Sequence, residues 1–142
     1  GPRTRLYFIA IMSLKNRRFE IWTVFEHRYN SYSGVDERKK RPVLIWANKA
    51  EPFQKNILAF YCSTKINKIN PKYCVLLKKV DNPDLAKDTY VWLTRPISIL
   101  YKDVIKNPAN NQPYSVTVIN QKNKDEIREM VKSIYLPVFN ND

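Results

Sequence analysis

This 142-residue sequence predicts a small, mostly β barrel with one amphipathic helix packed on it. Two observations lead there. Between residues 19 and 119 the apolar side chains come in short runs, rich in aromatic and β-branched residues and separated by Pro, Asn and Asp turns. Beyond them the period changes: Ile127, Met130, Val131, Ile134 and Tyr135 fall at i, i+3, i+4, i+7 and i+8, one face of a helix. Several short strands closed by one such helix need a curled sheet to bury both.

The elements follow in order. Residues 6–14 fit a strand or a short helix, and residues 19–25 a strand. The polar stretch 27–40, with Tyr29, Asn30, Ser31, Ser33 and Gly34, reads as a long loop of the kind that binds ligands. Residues 42–47 form the next strand, with Pro42 at its first position, where no ladder donor is needed. After a turn over 48–56, residues 57–63 are apolar on both faces and predict a central strand. A basic, Asn-rich turn over 65–71 leads to a strand at 73–78, and Asp81-Asn82-Pro83-Asp84 is another turn. Residues 89–93 form a short strand, and 97–101 continue the sheet after Pro96. A Pro/Asn-rich connection over 107–113 precedes an edge strand at 114–119. Asn123 and Glu126 have the spacing of a helix N-cap pair, and Pro137 is expected to end the helix.

The length suits one domain, and a chain of this size buries enough surface to form a core without staples. Gly1-Pro2 reads as a protease scar, so residues 1–18 are set apart as that scar plus an N-terminal extension, and 19–142 as the domain. Residues 6–12 faintly resemble a signal sequence but are too short, and no run approaches the length of a membrane span. The expected location is cytoplasmic, with Cys62 and Cys74 as free thiols in a reducing compartment. Two cysteines and one histidine exclude a Cys-rich structural zinc site, and no metal or cofactor is expected. With two glycines, tight turns must lean on Asn, Asp and Pro. The formal charge of +12 points to a polyanionic partner.

Two segments carry the chemistry. Arg38-Lys39-Lys40-Arg41 runs straight into the apolar Pro42-Val43-Leu44-Ile45-Trp46, and Ser63-Thr64 ends the apolar run 57–62. Each places a polar group at the rim of a buried strand. A cation and a hydroxyl on neighbouring strands can grip a phosphate and stabilise charge that develops on it. An RNA-handling site is the reading this supports.

The order of features resembles the MazF/PemK toxin endoribonucleases. Lys40-Arg41-Pro42-Val43-Leu44-Ile45 is similar to that family's Arg-Pro-apolar strand. Tyr61-Cys62-Ser63-Thr64 is similar to the strand end where the family carries Thr or Ser, and Leu85-Ala86-Lys87-Asp88-Thr89-Tyr90-Val91 to its Lys-Asp-Ser-x-Val segment. The final helix also sits where that fold places one. The resemblance spans roughly residues 19–136. It implies an SH3-like, MazF-type barrel, a homodimer, an acidic antitoxin partner and metal-independent cleavage of single-stranded RNA. In that reaction the 2′-hydroxyl attacks the adjacent phosphate, leaving a cyclic phosphate and a 5′-hydroxyl. The sequence departs from the family at Phe19-Glu20, where Gly-Asp is common. It departs again at 32–37, where Gly-Ser-Glu-Gln is common, and at Thr94-Arg95-Pro96-Ile97, where Gln-Ile/Val-Arg/Lys is usual.

Such cleavage needs a base, a group that stabilises the phosphorane, and an acid for the leaving oxygen. Arg41 suits the second role, because a guanidinium matches phosphate with paired hydrogen bonds. Ser63 can donate to a non-bridging oxygen, and Thr64 takes its place if the register slips by one. The blander readings are a solvated charge for Arg41 and a backbone-bonded hydroxyl for Ser63. His27, the only histidine, is a possible base. Lys39, Lys40, Lys65, Lys68 and Lys72 would line a phosphate track. Among Tyr29, Tyr32, Trp46 and Tyr61, one or two would stack bases, with the rest packing. Glu20 and Asp88 are expected to satisfy loop backbone donors. Two other functions fit the same barrel: a nucleic-acid-binding module that cuts nothing, and a toxin that acts on a protein such as a topoisomerase.

Overall fold

The computed structural model describes residues 17–30, 32, 34–47, 56–65 and 71–140. Its strands are β1 (Glu20–Asn30), β2 (Val35–Ala47), β3 (Asn56–Ser63), β4 (Cys74–Leu77), β5 (Thr89–Leu100), β6 (Lys106–Asn107), β7 (Gln112–Pro113) and β8 (Ser115–Val118). They are followed by the helix α1 (Gln121–Asn140). Six strands form one antiparallel sheet in the order β4-β5-β3-β2-β1-β8, and β6 and β7 form a separate small hairpin. The sheet curls into a half-barrel, the expected fold class.

Alternation along the strands sorts the core into two faces. Trp22 and Val24 of β1, Val43 and Ile45 of β2, and Ile57 and Ala59 of β3 share one cluster with Ile99, Tyr101 and Val104. Ile21, Leu44, Phe60 and Cys62, the residues of opposite parity, join Val75, Leu77, Val91, Leu93 and Ile127 on the other face. The helix lies there, with Ile127 fully buried and Met130, Val131, Ile134 and Tyr135 packed against that cluster. The Tyr135 hydroxyl donates to the Leu93 carbonyl and ties the helix to β5.

Strand β3 is central, and β8 is an edge, as the sequence predicts. The expected loop over 27–40 is instead the end of a long hairpin. Pairing of β1 with β2 runs unbroken from Ile21↔Leu44 to Asn30↔Val35. The recorded β2–β3 pairing reaches only to Val43↔Tyr61, so the hairpin continues as a two-stranded ribbon beyond the six-stranded sheet. Polarity there marks a ribbon outside the core, not a missing strand. Its turn needs Gly34, whose φ of +69° is in the left-handed region that glycine reaches at no steric cost. Asn111, at φ +55°, takes the same region in the 107–112 connection, in keeping with a glycine-poor chain.

Three further boundaries differ from the sequence reading. The strands expected at 89–93 and 97–101 are one strand, β5, because Pro96 lies beside a bulge and beyond the residues that pair with β4, where proline is tolerated. The helix cap is Asn120, whose Oδ1 accepts from the Asn123 N–H at 2.8 Å, and not Asn123. The buried Asn123 side chain points inward, donating to the Leu76 carbonyl and accepting from Asn82 at 3.0 Å. Pro137 lies inside α1, which continues to Asn140. A proline so near the C-terminus forfeits a single ladder bond, and the last carbonyls have no helical partner in any case.

Asp88 accepts from the Lys79 N–H at 2.7 Å, as expected of a loop-binding carboxylate. Glu20 binds side chains: both oxygens accept from Arg17 at 2.6 Å, and Oε1 also accepts from the Trp22 indole. Residues 6–14, 48–55 and 66–70, which include Lys68, lie outside the described residues.

Candidate active site

The three rows that build the first core cluster turn polar at one end. On β1 the row runs Trp22, Val24, Glu26; on β2 it runs Ile45, Val43, Arg41; on β3 it runs Ile57, Ala59, Tyr61, Ser63. Side chains two apart share a face, so the apolar floor fixes where the polar groups emerge. The β2–β3 register pairs Val43 with Tyr61, and two more residues along each strand bring Arg41 level with Ser63. Here β5 adds Trp92 and Arg95. A cleft of about 180 Å³ is lined by Glu26, Arg41, Tyr61, Cys62, Ser63, Trp92 and Arg95. Arg41 and Ser63 thus line the same open face, on the side of the sheet away from α1.

Charge in the cleft is ordered. Glu26 Oε2 lies 3.3 Å from Arg41 Nε, both side chains being more than two-thirds buried. Nevertheless Arg41 Nε is, among the described residues, a buried nitrogen without a hydrogen bond of good geometry. Glu26 therefore compensates its charge without using that donor, which stays a high-energy group that an oxyanion would satisfy. Arg95 stacks on two rings at once, with its guanidinium carbon 4.8 Å from the Trp92 centroid and 5.0 Å from that of Tyr61. Tyr61 hydrogen-bonds Glu26. Burial, then the charge and hydrogen bond of Glu26, raise its pKa against the opposing pull of Arg95 and Arg41. Two guanidiniums against one carboxylate leave the site cationic, as a diester requires.

Ser63 Oγ accepts from the Lys65 N–H at 3.1 Å and faces the Lys65 carbonyl at 3.4 Å. Its oxygen holds the local turn, while its weakly engaged proton can rotate toward a ligand. Thr64 follows in an exposed bend. Lys39, Lys40, Lys65 and Lys72 are exposed; Lys39 is the register partner of Glu26, and Lys72 lies over the Tyr73 ring at 5.4 Å. Tyr32 is fully exposed at the hairpin turn. Trp46 is a correction to the expected base platform. It lies five residues from Arg41, hence on the opposite face, boxed by Phe19 at 5.7 Å, Phe60 at 5.9 Å and the Arg18 guanidinium at 4.9 Å. Trp92 occupies the cleft instead. His27 is in β1, next to Glu26 and paired with Arg38; its side chain is outside the described residues.

Sequence reasoning missed Glu26, Trp92 and Arg95 as site residues. A signal for Glu26 was present: it continues the Trp22–Val24 parity past the apolar run. Arg95 and Trp92 are brought in by the β3–β5 bulge between Phe60 and Cys62, which no local pattern announces.

Neither a family model nor a curated protein matches the sequence. Solved structures do match the fold. The Mycobacterium tuberculosis toxin MazF-mt6 superposes with a TM-score of 0.56 over 82% of this chain and 95% of that one, at 14% identity. The fold is that of the MazF toxins. A mycobacterial endoribonuclease in complex with its cognate antitoxin matches with a TM-score of 0.54, 12% identity and coverage of 82% and 90% of the two chains. The MazE-MazF complex of Deinococcus radiodurans gives 0.52, 13%, and 82% and 91%. Within this MazF-type fold, no described helix is long and apolar enough to cross a membrane. Among the described residues no group of three or more His, Cys, Asp or Glu side chains is placed to hold a metal ion.

Proposed function

We propose that this protein is a toxin-type endoribonuclease that cuts single-stranded RNA, without a metal, by attack of the 2′-hydroxyl on the adjacent phosphate. The observation that carries the proposal is the convergence of Arg41 and Ser63 on one cationic cleft. Arg41 places its unspent donors against the non-bridging oxygens and stabilises the phosphorane. Ser63, or Thr64 in a shifted pose, donates one more hydrogen bond to them. Arg95 offers a second guanidinium, and Trp92 a ring on which a base can stack. The exposed Lys39, Lys40, Lys65 and Lys72, with Lys68, track the backbone on either side, and Tyr32 samples it from the hairpin tip. The MazF-type fold supports the same reading, as does the antitoxin named with two of its solved relatives. On this reading the protein works as a homodimer in the cytoplasm, restrained by an acidic antitoxin that competes with RNA for the cationic surface.

The test is incubation of the purified protein with mixed-sequence single-stranded RNA and EDTA. Fragments with 2′,3′-cyclic phosphate and 5′-hydroxyl ends, absent with Arg41→Ala, support the nuclease. Retarded but intact RNA would instead make the cleft a binding site, and topoisomerase inhibition with intact, unbound RNA would move the target to a protein.

A further inference from the structure

Attack by a 2′-hydroxyl requires something to accept its proton. Arg41 cannot, since a guanidinium keeps its protons near neutral pH. Ser63 Oγ is already accepting the Lys65 N–H. We infer that Glu26 is the general base of the proposed reaction, held in register by Arg41 and Tyr61. The inference rests on the reading of the cleft as a ribonuclease site.

Glu26 meets the geometric requirement. It lines the same cleft as Arg41 and Ser63, its Oε2 is 3.3 Å from Arg41 Nε, and it accepts from the Tyr61 hydroxyl. A phosphate gripped by Arg41 therefore brings its neighbouring ribose within one hydrogen bond of a carboxylate. Tyr61 fixes the rotamer of that carboxylate and is itself wedged by Arg95. Charged groups face Glu26 from each strand that packs on it: Lys39, its register partner, and Arg41 from β2, Tyr61 from β3, and Arg95 from β5 through Tyr61.

In the step, the O2′–H bond breaks and its proton passes to a Glu26 oxygen. The electron pair left on O2′ forms the bond to phosphorus. The P–O5′ bond breaks, its pair stays on the 5′ oxygen, and that oxygen takes a proton from water. Glu26 then returns its proton to solvent. No oxidant, reductant or metal enters the balance.

Glu26→Gln keeps the shape and a hydrogen-bonding partner for Tyr61 but cannot take the proton. Its kcat should fall about a hundred- to ten-thousandfold. Affinity for a non-cleavable RNA, with a 2′-deoxy sugar at the cut site, should stay within a few-fold. The acid limb of the kcat–pH profile should disappear. The loss should persist on RNA with a bridging 5′ sulfur, whose leaving group needs no proton. Glu26→Asp should retain the limb at a lower rate, showing that a carboxylate and not a fold defect is at issue. Tyr61→Phe removes a donor to the charged carboxylate, so it should move the acid limb to higher pH. A Glu26→Gln enzyme that cuts at close to the wild-type rate, or keeps the acid limb, overturns the assignment; so does loss of that limb in His27→Ala alone. If the wild type itself leaves RNA intact, the ribonuclease reading fails as well. Wild-type cleavage that Glu26→Gln leaves unimpaired sinks only the base.

Discussion

The two faces of the sheet are made by the same strands and differ in what covers them. On β2, Leu44 and Trp46 point to the helix side and pack with Phe60 and the α1 stripe, while Ile45, Val43 and Arg41 point to the other. The helix-covered face is apolar where α1 and its neighbours pack on it, at Ile21, Leu44, Trp46, Phe60 and Cys62. The open face is apolar only as far as Val43 and Tyr61, then ends in Arg41, Ser63 and Glu26. On the proposed reading, one strand thus serves stability with Leu44 and Trp46 and, on its other face, carries Arg41 for chemistry. The lesson is that a site can be charged without weakening the core, provided the charge emerges where the floor of the half-barrel ends.

Substitutions three residues apart on β2 should separate these roles. Arg41→Ala is expected to cut the rate of RNA cleavage about a thousandfold, the upper range for a lost preorganised donor. Its melting temperature should move little, because the substitution removes a buried donor that already lacks a hydrogen bond and leaves Glu26 its Tyr61 partner. Leu44→Ala should do the reverse. Leu44 is fully buried, so the cavity should cost about 2–5 kcal/mol in urea unfolding, with cleavage per folded molecule within a few-fold of wild type. An Arg41→Ala protein that melts as early as Leu44→Ala would show that the two faces are not independent.

Cys62 sharpens the comparison through pH. It lies on the covered face, and complete burial pushes its thiol up to about 12 from an ordinary 9.0, only partly opposed by a hydrogen bond with the Leu44 backbone. The folded protein therefore holds this proton where the unfolded chain has released it. Stability is fully present below pH 9 and is lost as pH rises from there toward 12, by about 1.4 kcal/mol per unit. Cys62→Val should remove that slope. Between pH 8 and 10, urea midpoints should show the wild type losing roughly 1 kcal/mol more than the variant. Equal losses would mean that water reaches the thiol and the covered face is not dry.

How much of this was legible in the sequence depended on whether burial or polarity marked the element. The strands at 42–47 and 57–63 and the face Ile127–Met130–Val131–Ile134–Tyr135 were readable because the core imposes its period on them. The β1–β2 ribbon was not, because a hairpin outside the sheet has no face to make apolar and its residues look like loop. Arg41 and Ser63 were legible as polar groups closing apolar runs. Glu26, Trp92 and Arg95 reach them through register and a bulge, which are long-range facts. Trp46 was misplaced for a simpler reason: an odd separation from Arg41 puts it on the other side, and parity along the strand already says so.

The covered face holds a finer contrast, in how the helix is anchored to it. Asn120 and Asn123 are three residues apart and chemically identical, yet they do different work. Asn120 caps: its Oδ1 takes the Asn123 N–H, its own N–H donates to Asn82 Oδ1 at 2.9 Å, and its side chain is partly exposed. Asn123 is buried and bridges α1 to β4 and to the 78–88 loop through Leu76 and Asn82. Removing Asn123 strands the Leu76 carbonyl and the Asn82 amide without this partner, so Asn123→Ala should cost about 1–3 kcal/mol. Asn120→Ala loses a cap whose donor water can replace, so it should cost about 1 kcal/mol. Neither should change RNA cleavage, since both act on the face that Arg41 does not share. Urea unfolding of the two variants ranks them directly. If Asn120→Ala proved the more damaging, the helix would be anchored by its cap and not by the buried bridge, and the covered face would owe its order to the helix terminus.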